Sequence, residues 1–189
     1  MPHRKTPLIK NNFYHIYNRG NNRENIFFER ENYIYFLNLM KLHLVNNVDI
    51  IAYCLMPNHY HFLLYLQNEK ISNSMKSLSL AYTKAINKKL NRSGVLFQGR
   101  FQSIHIQETE YLINLVRYIH LNPIKAGIVD QIDQWEFSSY PEYAGLRQGG
   151  LPTTEYIKMQ INDQIEYQKF LTDEKLATSE GFYQLLIDN

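Results

Sequence analysis

The chain has 189 residues, 44% of them hydrophobic, and a formal net charge of +2 at pH 7. That length allows one ordinary domain with an extension, and the composition can fill a real core. No segment approaches the roughly 18 consecutive apolar residues of a membrane helix. The polar, basic start at residues 1–12 has no apolar run behind it, which argues against a secretory signal. The single cysteine, Cys54, lies in an apolar run, cannot form an internal disulfide and reads as a buried small side chain. A reducing, cytoplasmic setting is the expectation.

The charge is unevenly placed. Residues 70–107 carry seven Lys or Arg and no Asp or Glu, whereas residues 130–189 carry eleven acids against four Lys or Arg. A basic central block reads either as a face for polyanions or as a solvated helix face.

Residues 13–18 (FYHIYN) are aromatic and β-branched, which predicts a strand. Residues 28–45 place Ile34, Leu37, Met40, Leu44 and Val45 at helical spacing. Residues 48–56 and 59–66 are strongly apolar, and the Pro57-Asn58 turn between them predicts an antiparallel hairpin. Residues 72–91 carry Met75, Leu78, Tyr82, Ile86 and Leu90 at helical steps, with Lys84, Lys88, Lys89 and Arg92 off that stripe. Residues 95–106 read as extended, interrupted near Gly99. A last helix is expected over residues 110–121, capped by Thr109 and ended by Pro123. Strand, helix, strand, strand, helix, strand is the ferredoxin-like, RRM-like plan: an α+β fold whose antiparallel sheet has helices on one face. The other face is left for a ligand or a further helix. Residues 135–146 read as loop. Residues 148–152 read as a linker, and 154–171 and 179–187 as two acidic helices. The expected division is a domain over 1–147 and a mostly helical acidic extension over 148–189.

His59-Tyr60-His61 opens a predicted strand, where residues i and i+2 share a face. Two imidazoles side by side can hold one divalent ion, and with an oxygen ligand such a site accepts Mn²⁺ as well as Mg²⁺. A bare His-x-His pair is a weak signal by itself, and two half-exposed strand histidines give the same pattern.

The surrounding residues carry more information. LMPNHYHFLL (55–64) resembles the metal-binding strand of the HUH single-tyrosine transposases, named for His, hydrophobic, His. YHIYNRG (14–20), LFQGRF (96–101), VRYIHLNPIKAG (116–127) and residues 135–145 resemble the branch called REP-associated tyrosine transposases. The resemblance covers residues 10–147. It implies a domain acting on single-stranded or hairpin DNA, in which a tyrosine hydroxyl attacks a phosphodiester. A 5′-phosphotyrosine link forms, a 3′-OH leaves, and a second 3′-OH can rejoin strands. It further implies that Tyr118 is the nucleophile and that the two histidines and a side chain near the tyrosine hold a divalent metal.

On the predicted last helix, Leu112, Leu115, Val116 and Ile119 form the core stripe. Tyr118 and Asn122 fall one turn apart on one flank, and His120 falls on the other. Asn122 is therefore the choice for third ligand, although a pre-proline residue avoids helical backbone. Tyr111, one heptad earlier on the same flank, is the rival nucleophile. Arg19, Lys84, Lys88, Lys89, Arg92 and Arg100 form the candidate phosphate track. His15 and His105 are read as ordinary strand histidines rather than site residues. Three readings follow: an active strand transferase, an inactive binding module of the same fold, and an RNA-binding protein using an RRM-like sheet. Monomer and homodimer both stay open.

Overall fold

A computed structural model describes residues 7–160 together with Tyr167, Lys169 and Leu171. Its ordered core follows the expected plan: β1 (Phe13–Arg19), α1 (Arg30–His43), β2 (Val48–Met56), β3 (His59–Leu66), α2 (Ile71–Lys89) and β4 (Gln102–Ile106). The strands form one sheet in the order β2-β3-β1-β4, every pairing antiparallel. β2 and β3 turn through Pro57-Asn58, so Met56 faces His59 across the hairpin.

The sheet is covered on both faces, which explains why β2 and β3 read as apolar runs rather than as alternating strands. On one face Tyr14, Ile16, Tyr53, Leu55, Tyr60, Phe62 and Leu64 pack with Phe36 and Met40 of α1 and Met75, Leu78 and Tyr82 of α2. On the other, Ile51, Cys54, Met56 and Leu63 pack with Leu112, Leu115, Val116 and Ile119. These last four belong to α3 (Thr109–Lys125), which takes the face left open by the ferredoxin-like plan. Burying both faces commits most of the chain's large apolar side chains to two contiguous cores, each buried Leu, Ile or Phe contributing about 1.5–3 kcal/mol.

Three boundaries differ from the sequence expectation. Pro123 does not end α3 but lies inside it. Proline removes one hydrogen bond, and here it does so a single turn before a built-in stop. The helix closes by Gly127 N–H donating to the Ile124 carbonyl and Ile128 N–H to the Pro123 carbonyl, with Gly127 at φ 65°. Thr109 is the first helical residue and not the cap; Glu108 holds the cap position with no side-chain bond. Of residues 95–106 only β4 is strand. Leu96 and Phe97 instead turn into the core, held by Asn21 N–H to the Leu96 carbonyl and Gln98 N–H to the Arg19 carbonyl.

Residues 135–146 are also more ordered than a loop. They contain α4 (Tyr140–Tyr143) and seal the outer edge of β2. Leu55 N–H donates to the Phe137 carbonyl, Ser139 N–H to the Tyr53 carbonyl, and Tyr53 N–H to Ser139 Oγ, each at 2.9 Å. An edge covered in this way cannot template another chain. Arg147 locks the segment by donating to both Glu142 carboxylate oxygens, to the Glu136 and Ser138 carbonyls and to the Tyr53 hydroxyl. Of the two expected acidic helices, the first contains α5 (Glu155–Lys158) and the helical residues Tyr167, Lys169 and Leu171. The second, over 179–187, lies outside the described residues. Among the described residues no helix is long and apolar enough to cross a membrane.

Candidate metal and nucleophile site

Alternation along β3 sends Tyr60, Phe62 and Leu64 into the α1/α2 core and turns His59 and His61 toward α3. Their rings lie 4.9 Å apart between centroids and nearly perpendicular. Both are buried, His61 completely. In register beside them on β1, Tyr17 pairs with His61 and Arg19 with His59.

Each Nδ1 is engaged. His59 Nδ1 is 2.6 Å from Asn58 Oδ1, and His61 Nδ1 is 3.0 Å from His15 Nε2. The Nε2 atom of His61 is buried with no hydrogen-bond partner among the described residues. Burial, then His59, His15 and Arg19, hold His61 well below the usual histidine pKa, and burial pushes His15 down to about 3. Both rings are therefore neutral at physiological pH, the state in which imidazole offers a lone pair. A buried, neutral, unsatisfied imidazole nitrogen beside a second imidazole fits a transition-metal or Mn²⁺/Mg²⁺ site.

α3 brings Tyr118 over this pair. The Tyr118 ring is 3% exposed and meets the His61 ring edge-on at 5.3 Å and 83°. Lys125 Nζ lies 5.3 Å from the Tyr118 ring centroid on the solvent side of the same helix. Asn122, one turn beyond Tyr118, stays helical despite preceding Pro123 and is buried, its amide nitrogen without a hydrogen-bond partner among the described residues. No group of three His, Cys, Asp or Glu side chains suited to a metal occurs among the described residues.

Tyr111 lies seven residues before Tyr118, in the first turn of α3, half-buried, its hydroxyl pKa raised by burial and by Tyr17. His120 points away from the site. It is fully buried, hydrogen-bonded to Ser139 Oγ at 2.7 Å and to the Tyr167 hydroxyl, and burial pushes it down to about 3. His105 bonds Asn12 Oδ1 and stacks on Tyr14. His15, read from the sequence as an ordinary strand histidine, contacts His61 directly. Tyr17 is a neighbour that the sequence reading did not single out. Strand parity carried the signal for both: His15 and Tyr17 occupy the β1 face shared with His61, but only the register shows it.

The basic residues divide. Arg19 lies on the histidine face. Lys84, Lys88 and Lys89 ride on α2, which packs on the opposite face of the sheet. Lys89 pairs with Glu29, and Arg92 reaches Glu24 at 4.0 Å and covers the Phe28 ring. Lys84, Lys88 and Arg100 are exposed. Between α2 and residues 94–101 runs a groove of about 720 Å³ lined by Lys76, Ser79, Thr83, Phe97 and Arg100 among others. Through the bond from Gln98 N–H to the Arg19 carbonyl, this segment is tied to the end of the sheet that holds His59.

Residues 9–122 match the family model described as "Transposase IS200 like". The REP-associated tyrosine transposase of Escherichia coli (strain K12) is 29% identical over 94 residues, covering 49% of this chain and 54% of that protein. A Haemophilus influenzae protein assigned to the same group is 26% identical over 103 residues, covering 49% of this chain and 58% of that one. The chain thus spans little more than half the length of these relatives. A solved REP-associated tyrosine transposase bound to a REP hairpin is similar with a TM-score of 0.63 and 18% identity, over 80% of this chain and 97% of that one. At that identity the likeness shows the fold.

Proposed function

The chain belongs to the IS200-like transposase family, and from that premise we propose that it is a single-tyrosine DNA strand transferase acting on single-stranded or hairpin DNA. The observation that carries the reading is the edge-on contact of the Tyr118 ring with His61, whose Nε2 is buried and unsatisfied.

In this reading the Tyr118 hydroxyl gives up its proton and attacks the scissile phosphorus. A P–O bond to tyrosine forms as the bond to the 3′-oxygen breaks, and that oxygen leaves as a hydroxyl after taking a proton. The phosphodiester energy is conserved in the phosphotyrosine, so a second 3′-OH can reverse the step and join strands. A tyrosine hydroxyl, ordinarily near pKa 10, is a poor nucleophile at neutral pH. A divalent ion, Mg²⁺ or Mn²⁺, held by His59, His61 and Asn122 would polarise the scissile phosphate. The orphaned Asn122 amide supports its part: turning the amide over exchanges N and O and sets the oxygen at the unsatisfied position. Packing of α3 on the sheet fixes the tyrosine and excludes water from its ring.

Arg19 would take phosphate on the histidine face, and Arg100, Lys84 and Lys88 would continue the track around the sheet end onto α2, with Lys89 and Arg92 contributing less because of their acidic partners. Residues 1–147 carry the chemistry in this scheme, and 148–189 form the extension, of which Tyr167 and Leu171 lie in the core under α3. An RNA-binding reading on an open RRM-like sheet loses its platform, because α3 covers that face.

The test is incubation with labelled single-stranded hairpin DNA from the protein's own genome and Mn²⁺ or Mg²⁺, beside Tyr118→Phe. A denaturant-resistant adduct that needs metal and disappears in the variant is the expected result. Binding without an adduct under either metal would make the chain an inactive binding module. An adduct surviving Tyr118→Phe would move the nucleophile to Tyr111.

A further inference from the structure

His61 is held by another histidine rather than by a carboxylate or a carbonyl. His15 Nε2 and His61 Nδ1 are 3.0 Å apart, both rings are fully buried, and the planes differ by only 20°. A centroid separation of 5.2 Å at that small angle is what two imidazoles joined end to end through such a contact require. One nitrogen must carry the proton and the other the lone pair.

Two arrangements of neutral rings satisfy this. In the first, His61 Nδ1–H donates to His15 Nε2, and His61 Nε2 presents a lone pair. In the second, His15 Nε2–H donates to His61 Nδ1, and His61 carries its proton on Nε2, where it blocks ligation. His15 Nδ1 and His61 Nε2 are both buried without hydrogen-bond partners among the described residues. Each arrangement thus leaves one orphan N–H and one orphan lone pair, and local bonding does not separate them. His59 differs, because its Nδ1 meets an amide side chain.

We infer that His15 is the positioning residue for His61: it accepts the His61 Nδ1 proton, fixes the ring plane, and so makes His61 Nε2 the ligating nitrogen. The inference rests on the reading of His61 as a metal ligand. The pair works as a unit in which engaging Nε2 moves a proton from Nε2 to Nδ1 on His61 and from Nε2 to Nδ1 on His15, with no net release from the two rings. A third imidazole suits this role because it can give or accept in one plane, and because, unlike a carboxylate, it adds no charge to a fully buried position.

The full chain, ¹⁵N-labelled at histidine, would be compared with His15→Leu and His15→Gln. Two readouts apply: the His61 tautomer in the metal-free protein by two-bond ¹H–¹⁵N spectra, and Mn²⁺ affinity from the free-ion paramagnetic resonance signal. Gln keeps an acceptor where Leu has none. The expected result is a His61 Nδ1–H population in the wild type and His15→Gln that is lost in His15→Leu. Mn²⁺ affinity should fall by about 10–100-fold in His15→Leu and recover to within about threefold of wild type in His15→Gln. A folded His15→Leu with wild-type tautomer and affinity would overturn the inference, as would equal losses in both variants, which packing alone would cause. If the wild type binds no Mn²⁺, the metal reading fails, and the tautomer comparison alone decides whether His15 governs His61.

Discussion

Burial holds His15 and His120 near pKa 3 and His61 well below the usual histidine range. In the unfolded chain each ring returns to about 6.5, so between the folded and unfolded values the unfolded state binds more protons. Stability is therefore complete above about pH 6.5 and falls as pH drops through that value toward the folded pKa. Going from pH 7 to pH 5 should cost roughly 2 kcal/mol for each such ring. Urea unfolding at both pH values measures it, and His120→Gln should lose visibly less on acidification than the wild type, whatever its starting stability. An identical acid loss in the variant would remove His120 as a source. On the other side of α3, Lys125 sets an ammonium 5.3 Å from the centre of the Tyr118 ring. Such a contact at an exposed site contributes about 0.5–1 kcal/mol. If it steadies Tyr118 as charge develops, Lys125→Met should slow adduct formation by roughly two- to fivefold, with Mn²⁺ affinity unchanged. A matching fall in metal affinity would show instead that the lysine acts through the packing of α3.

α3 depends on its ending as much as on its core stripe. Gly127 adopts φ 65°, and a Cβ there would meet nothing within 4 Å, so any penalty for Gly127→Ala is backbone strain alone. That substitution should cost about 1 kcal/mol in urea or thermal unfolding. Gly99→Ala, which has the same open surroundings and no positive φ, should be neutral or slightly stabilising. Equal costs at both glycines would rule out strain as the cause. The same helix shows where sequence reading reaches its limit. Its stripe of Leu112, Leu115, Val116 and Ile119 is local and periodic, and so is the placement of Tyr118 and Asn122 on one flank. Pro123 misled because the rule that proline ends helices is local, whereas Pro123 is buried and its helix is held by tertiary packing and a glycine stop. The hairpin and β1 were legible from turn chemistry and aromatic content. Residues 135–146 were not, because their order comes from pairing with β2 about 80 residues away and from the bonds of Arg147. His15 escaped for the same reason: its partner is 46 residues distant, and only strand register brings them together.

At the scale of the whole molecule the sheet separates the candidate site from the lysines of α2. The histidine pair and Tyr118 share the α3 side, while α2 and its lysines lie behind the sheet. DNA that uses both must bend around the end of the sheet where Arg19 pairs with His59 and where residues 96–101 are anchored. In the proposed strand-transfer reading, Lys84 and Lys88 would act far from the reacting phosphate, as counterion-displacing contacts that set affinity and not rate. Each phosphate contact on single-stranded DNA contributes about 0.7 to the slope of log affinity against log salt, and about 0.9 on a duplex. Replacing Lys84 and Lys88 together by Gln should lower that slope by about 1.4–1.8 in magnitude. Adduct formation at saturating DNA should be unaltered. Lys89→Gln and Arg92→Gln should change the slope less, since Glu29 and Glu24 already balance those charges. Salt titrations of hairpin DNA binding by fluorescence anisotropy measure all of these. A slope unaffected by the Lys84/Lys88 pair would confine the DNA to the histidine face, with Arg19 as its phosphate anchor. A full effect from Lys89 or Arg92 would mean that DNA displaces Glu29 and Glu24 when it binds.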